Sequence, residues 1–145
     1  MSFPFGGKII VLFHTFILIC CVCFANDNLF KQARALQRDG KYEEAIAAFK
    51  GYLSQPILEN VLSDEQMAMY TDALVQLMNA FQSKGESEAC ITTLKEVFKA
   101  SPVLQKNCLR DYYSVMGYAL SRTENMRDAE ETMLKALAIP LHQAT

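Results

Sequence analysis

The side chains able to do covalent or acid–base chemistry are few and badly placed for it. Of the two histidines, His14 falls in an apolar N-terminal run and His142 stands among the last four residues. That leaves no pair of imidazoles for a metal and no Ser-His-Asp constellation. Glu43-Glu44 and Glu130-Glu131 are adjacent carboxylates in first turns of helical stretches. There they complement the helix dipole and face solvent, which does not suit a shared acid–base task. Gly6-Gly7 precedes the apolar run and the other glycines are isolated, so no glycine-rich loop cradles a phosphate. No catalytic, cofactor-binding or metal-ligating set is expected.

The five cysteines divide by position. Cys20, Cys21 and Cys23 are apolar filler in the N-terminal run, and the residues before them, Ile19, Cys20 and Val22, are not the small ones that lipoprotein processing needs. Cys90 and Cys108 remain. With Cys90 in the first turn of one helix and Cys108 opening the next, about nine residues of rise, on the order of 13 Å, hold them apart. A disulfide needs Cα atoms within about 7 Å. Cys90 is read as a small core residue and Cys108 as an unpaired thiol.

The run from Ile9 to Phe24 follows a single Lys8, is interrupted only by His14 and Thr15, and ends at Cys23-Phe24-Ala25. Residues 1–25 therefore read as a secretory signal cut after Ala25, or as an uncleaved membrane anchor. Either way, residues 26–145 are expected outside the cytoplasm, periplasmic or secreted, with a membrane met only through residues 9–25 if these stay uncleaved. Losing Lys8 moves the net charge from −2 to −3. That balance is too mild to favour nucleic acid.

Residues 26–145 carry a helical period throughout and no strand alternation, so the fold class is all-α. One pattern is written three times. It runs Leu29, Ala33, Leu36, Gly40, Tyr42, Ala45, Phe49, Tyr52 and Pro56 in the first copy. The second is Leu74, Met78, Phe81, Gly85, Ser87, Cys90, Leu94, Val97 and Pro102, and the third Tyr113, Gly117, Leu120, Glu124, Met126, Ala129, Met133, Ala136 and Pro140. Small sites let two helices approach, and large ones fill the gap between them. The copies cover about residues 28–56, 64–102 and 106–140. Ser63-Asp64-Glu65-Gln66 signals the start of the longest helix.

This pattern resembles the tetratricopeptide repeat, most clearly in Gly40-Lys41-Tyr42-Glu43-Glu44-Ala45-Ile46 with Phe49. The small residues Ala45, Cys90 and Ala129 stand 45 and 39 positions apart, longer than the family period of about 34. The resemblance implies a right-handed α-solenoid of three antiparallel helix pairs, with no enzymatic activity, that binds a protein or peptide along the groove lined by its leading helices. Matched copy to copy, the groove residues are Phe30, Arg34, Gln37 and Arg38 in the first, Val75, Asn79 and Gln82 in the second, and Ser114, Tyr118, Ser121 and Arg122 in the third. Family members that grip a C-terminal carboxylate use cations where this chain has Phe30, Asp111 and Val115, which disfavours that mode.

The third copy ends without a polar cap. Met133, Ala136, Leu137, Ile139 and Leu141 exceed what one repeat can bury, so this edge is expected to meet a second copy as a two-fold dimer, or further repeats. Further repeats would make the chain the extracytoplasmic opening of a membrane-bound signalling receptor, of the histidine kinase or transcriptional regulator type.

Overall fold

A computed structural model describes residues 28–55 and 62–140 of the chain. The signal or anchor segment and Leu141 lie outside the described residues. Among these, seven helices and no strand are present. They are α1 (28–38), α2 (Tyr42–Leu53), α3 (Asp64–Lys84), α4 (Ser87–Ala100), α5 (Pro102–Asn107), α6 (Leu109–Ser121) and α7 (Met126–Ala138). The all-α class read from the helical period is what the structure shows.

Two of the hairpin turns are built alike. Gly40 and Gly85 both take φ +74°, a left-handed conformation that costs glycine nothing. In the first turn Lys41 N–H donates to Leu36 O at 2.9 Å and Gly40 N–H to Gln37 O at 3.1 Å. In the second, Glu86 N–H donates to Phe81 O at 3.0 Å and Gly85 N–H to Gln82 O at 2.9 Å. This paired closure satisfies carbonyls that a helix end would otherwise leave open. The third turn has Glu124 at the matching place and no positive φ. The Thr123 hydroxyl donates to Leu120 O at 2.7 Å there instead.

Helix α3, at 21 residues the longest element, begins with the expected reciprocal cap. Gln66 N–H donates to Ser63 Oγ at 3.2 Å and Ser63 N–H to Gln66 Oε1 at 2.8 Å. It packs against α2, α4 and α6, and so occupies the middle of the fold. The core that surrounds it includes Leu74, Leu77, Phe49, Leu53 and Leu94, all without exposed surface. The repeat-matched small residues Ala45, Cys90 and Ala129 are buried as well.

Three sequence readings are corrected. Ser101-Pro102 was expected to close the second copy, but it opens the additional helix α5. Proline fits the first helical position because its missing N–H would have had no partner there, and the buried Ser101 accepts from Leu104 N–H as the cap. Phe30 was placed in the groove, yet it is buried. Its ring meets Phe49 edge-on, with centroids 6.1 Å apart, and Tyr52 at 5.3 Å. An aromatic of that size contributes most when desolvated, so α1 turns Phe30 and Ala33 inward and leaves Leu29 and Leu36 half-buried. Finally, Ala136, placed on the open edge, is buried, whereas Met126, read as hairpin packing, is exposed.

Helices α6 and α7 are in tight contact at Gly117. A methyl group there would stand 2.6 Å from Met133 Cγ and 3.3 Å from the Met133 backbone nitrogen. Gly117→Val is expected to push the helices apart and cost roughly 1–3 kcal/mol, whereas Gly117→Ala, which regains about 1 kcal/mol of helix propensity, should cost less. Thermal melting checks the order. A Gly117→Val protein that melts with the parent contradicts the close approach.

Candidate functional site

The leading helices α1, α3 and α6 are tied side to side by polar contacts. Arg34 Nη1 donates to Asp72 Oδ2 at 3.2 Å, and Gln37 Nε2 to Gln76 O at 3.4 Å. Gln76 Nε2 in turn donates to Asp72 Oδ1 at 3.0 Å. The Thr71 hydroxyl donates to Asp111 Oδ2 at 3.0 Å. Partners across neighbouring leading helices are 38, 39 and 40 residues apart. The first two contacts join α1 to α3 and the third joins α3 to α6.

These ties sort the candidate groove residues. Arg34 and Gln37 are engaged in holding α1 to α3, and the Arg34 guanidinium also lies 5.9 Å from the centre of the Phe30 ring. Val75, Asn79 and Gln82 are half-buried along α3, with Gln82 Nε2 covered and lacking a hydrogen-bond partner among the described residues. Ser114 and Ser121 turn their hydroxyls to the carbonyls of Arg110 and Tyr118, at 3.0 and 2.7 Å. Arg38, Tyr118 and Arg122 are exposed. What the leading helices offer outward is thus one aromatic and two guanidinium groups, with half-exposed amides between them. Such a face can stack, donate hydrogen bonds and meet carboxylates. It holds no nucleophile with an adjacent base.

Asp72, Gln76 and Thr71 were missed in the sequence. Nothing local marks them, because their partners lie 38 to 40 residues away on other helices. At the two later positions where a carboxylate clamp would place cations, Asp111 is the acceptor for Thr71 and Val115 is buried.

A second set of ties runs along the trailing helices and turns. Lys50 Nζ meets Glu96 Oε2 at 2.7 Å, joining α2 to α4. Lys84 Nζ lies 3.2 Å from Glu43 and 2.9 Å from Glu86, bridging the two glycine turns, and these carboxylates, Glu86 first, hold its ammonium above its ordinary range.

Cys90 and Cys108 are both free and both buried. Burial pushes the Cys90 thiol up to about 12. For Cys108 burial, helped by the Asp111 carboxylate, gives about 11. Such thiols are protonated at neutral pH and are inert as nucleophiles. Tyr112, stacked on Phe98 with ring centroids 3.8 Å apart, is raised to about 12, again chiefly by burial. Tyr70 is raised further by burial, Tyr52 and Cys108, and its hydroxyl has no hydrogen-bond partner among the described residues.

Among the described residues no group of three or more His, Cys, Asp or Glu is placed to hold a metal ion, and no helix is long and apolar enough to cross a membrane. No family model matches the chain, and no match was found among curated proteins or solved structures.

Proposed function

We propose that this chain is a non-enzymatic scaffold of tetratricopeptide-like helix pairs, exported behind residues 1–25, which binds a protein segment or peptide along its leading helices. The observation that carries this reading is the side-by-side tie of α1, α3 and α6, by Arg34 and Gln37 to Asp72 and Gln76 and by Thr71 to Asp111. Helices held side by side in that way line up their outward positions into a strip. Arg38, Tyr118 and Arg122 are the members of that strip free to meet a ligand, with Val75 and Asn79 between them. Aromatic and arginine side chains are the types that anchor protein interfaces, and a strip with two guanidinium groups favours a segment carrying carboxylates.

The test is selection of peptides from a random displayed library on the full-length chain, followed by affinity measurement against variants. Tyr118→Ala and the pair Arg38→Ala with Arg122→Ala are each expected to weaken the selected peptides by about tenfold or more, with melting temperatures unchanged. Selected peptides that bind all variants equally would remove the leading helices as the binding face.

A further inference from the structure

Helix α1 carries Lys31, Arg34 and Arg38, all exposed, and no Asp or Glu. Residues 42–145 lean the other way, with nine Lys and Arg against fourteen Asp and Glu. The three cations stand three and four residues apart, which puts them on one face of the helix over about 10 Å of its length. Leu29, Ala33 and Leu36 pack on the core from the opposite face, and a methyl group on Gly51 of α2 would stand 3.6 Å from Leu29. Lys31 and Arg38 therefore point away from α2, outward from the layer of leading helices. Arg34 is turned toward α3, where Asp72 meets its Nη1, and its side chain is still 53% exposed. The acids in the middle of the leading face are already engaged, since Asp72 accepts from Arg34 and Gln76, and Asp111 from Thr71. In the turn that follows α1, Asp39 is offset by Lys41.

We propose that this stripe grips the ligand of the leading helices by its carboxylates, and that the ligand is an acidic protein segment lying lengthwise on α1. The inference rests on the leading-helix reading and adds to it the ligand's chemistry, the helix that holds it, and Lys31 and Arg34 as contacts. Arg34 keeps N–H groups beyond the one given to Asp72, and a guanidinium meets a carboxylate through two N–H groups at once. The width of the stripe decides between anionic partners. It is one helix wide, and exposed carboxylates flank it, Asp64 and Glu65 two turns before Asp72 on α3, and Glu43 and Glu44 just past the Gly40 turn. A lipid surface or a nucleic-acid duplex is broad enough to meet those carboxylates and be repelled, whereas a single segment of chain passes between them. The contacts are exposed, so salt screens them within about 8 Å at physiological strength.

Fluorescence anisotropy of labelled decaglutamate on the full-length chain tests it, with decaglutamine as the uncharged probe of the same length. Decaglutamate is expected to bind about tenfold tighter or more at low ionic strength, and to lose most of that advantage at physiological salt. Lys31→Glu with Arg38→Glu should weaken it by about tenfold or more, whereas Lys95→Glu with Lys99→Glu, the same change of net charge placed on α4, should weaken it by about threefold at most. All four side chains are exposed, so far-UV circular dichroism should be unchanged in both variants. Equal losses in the two double variants would reduce the effect to net charge and overturn the proposal. Decaglutamate that binds no tighter than decaglutamine would overturn it as well, as would an oligothymidylate of equal charge that binds the parent more tightly than decaglutamate. Library peptides that need Tyr118, yet bear no carboxylate and tolerate Lys31→Glu with Arg38→Glu, would overturn this inference and leave the leading helices as the binding face.

Discussion

Phe49→Ala is expected to remove about 3–5 kcal/mol of stability, enough to unfold a large share of the molecules of a domain whose total is on the order of 5–15 kcal/mol. Phe49 has no exposed surface and lies between Ala45 and Leu53 on α2, facing the ring of Phe30 on α1. The aromatic series continues from Phe30 through Tyr52 to Tyr70 on α3, with Tyr52 and Tyr70 5.0 Å apart. Truncation therefore leaves a cavity beside the Phe30 ring, in a part of the core where Ala33, Ala45 and Leu53 also have no exposed surface. Phe49→Leu keeps most of the volume and should cost much less. Urea unfolding followed by far-UV circular dichroism measures both. An unfolding midpoint for Phe49→Ala equal to that of the parent would show that the first pair does not pack as described.

The second large effect is alkaline. Cys90 and Cys108 are raised to about 12 and 11 in the fold, against about 8.5 in an unfolded chain. Below pH 8 both states keep both protons, and the burial of neutral thiols contributes in full. As pH rises past the unfolded value, the unfolded chain releases protons that the fold retains. Stability then falls by about 1.4 kcal/mol per pH unit for each thiol, or roughly 3 for the pair, until the folded values are reached. Tyr70 and Tyr112 add the same sign of effect one to two units higher. The measurement is the unfolding midpoint in urea at pH 8, 9, 10 and 11. Cys90→Ala combined with Cys108→Ala should flatten the curve between pH 8 and 9, below the range in which unfolded phenols titrate. A parent whose stability holds constant from pH 8 to 11 would mean that the thiols reach water.

The features of this fold that a sequence shows are those decided within one turn of helix. Ser63 and Gln66 cap each other over three residues, and Gly40 and Gly85 end their helices because no other residue takes that φ without strain. The matched small residues Ala45, Cys90 and Ala129 were legible for a related reason, since spacings of three and four name the inward face directly. What stayed hidden depends on partners far along the chain. Phe30 and Leu29 are neighbours with equal claims to the interior, and the choice between them is made by Phe49 and Tyr52 on another helix. Likewise Arg34 and Gln37 look like free groove residues until Asp72 and Gln76 arrive beside them. Pro102 carried a true signal that pointed two ways, because proline stops one helix and starts the next with equal ease.

The unequal support of the helices also sets how the molecule breathes. Helix α3 is walled by α2, α4 and α6, so exposing its amides to solvent means dismantling most of the fold, whereas among the described residues α7 packs chiefly against α6. Hydrogen exchange should accordingly be graded along the chain, slowest in α3 and fastest, through a local opening that spares the rest, in α7. A second copy seated on α7 would supply the missing wall. Slowed exchange confined to that helix would then report on the neighbour rather than on the fold.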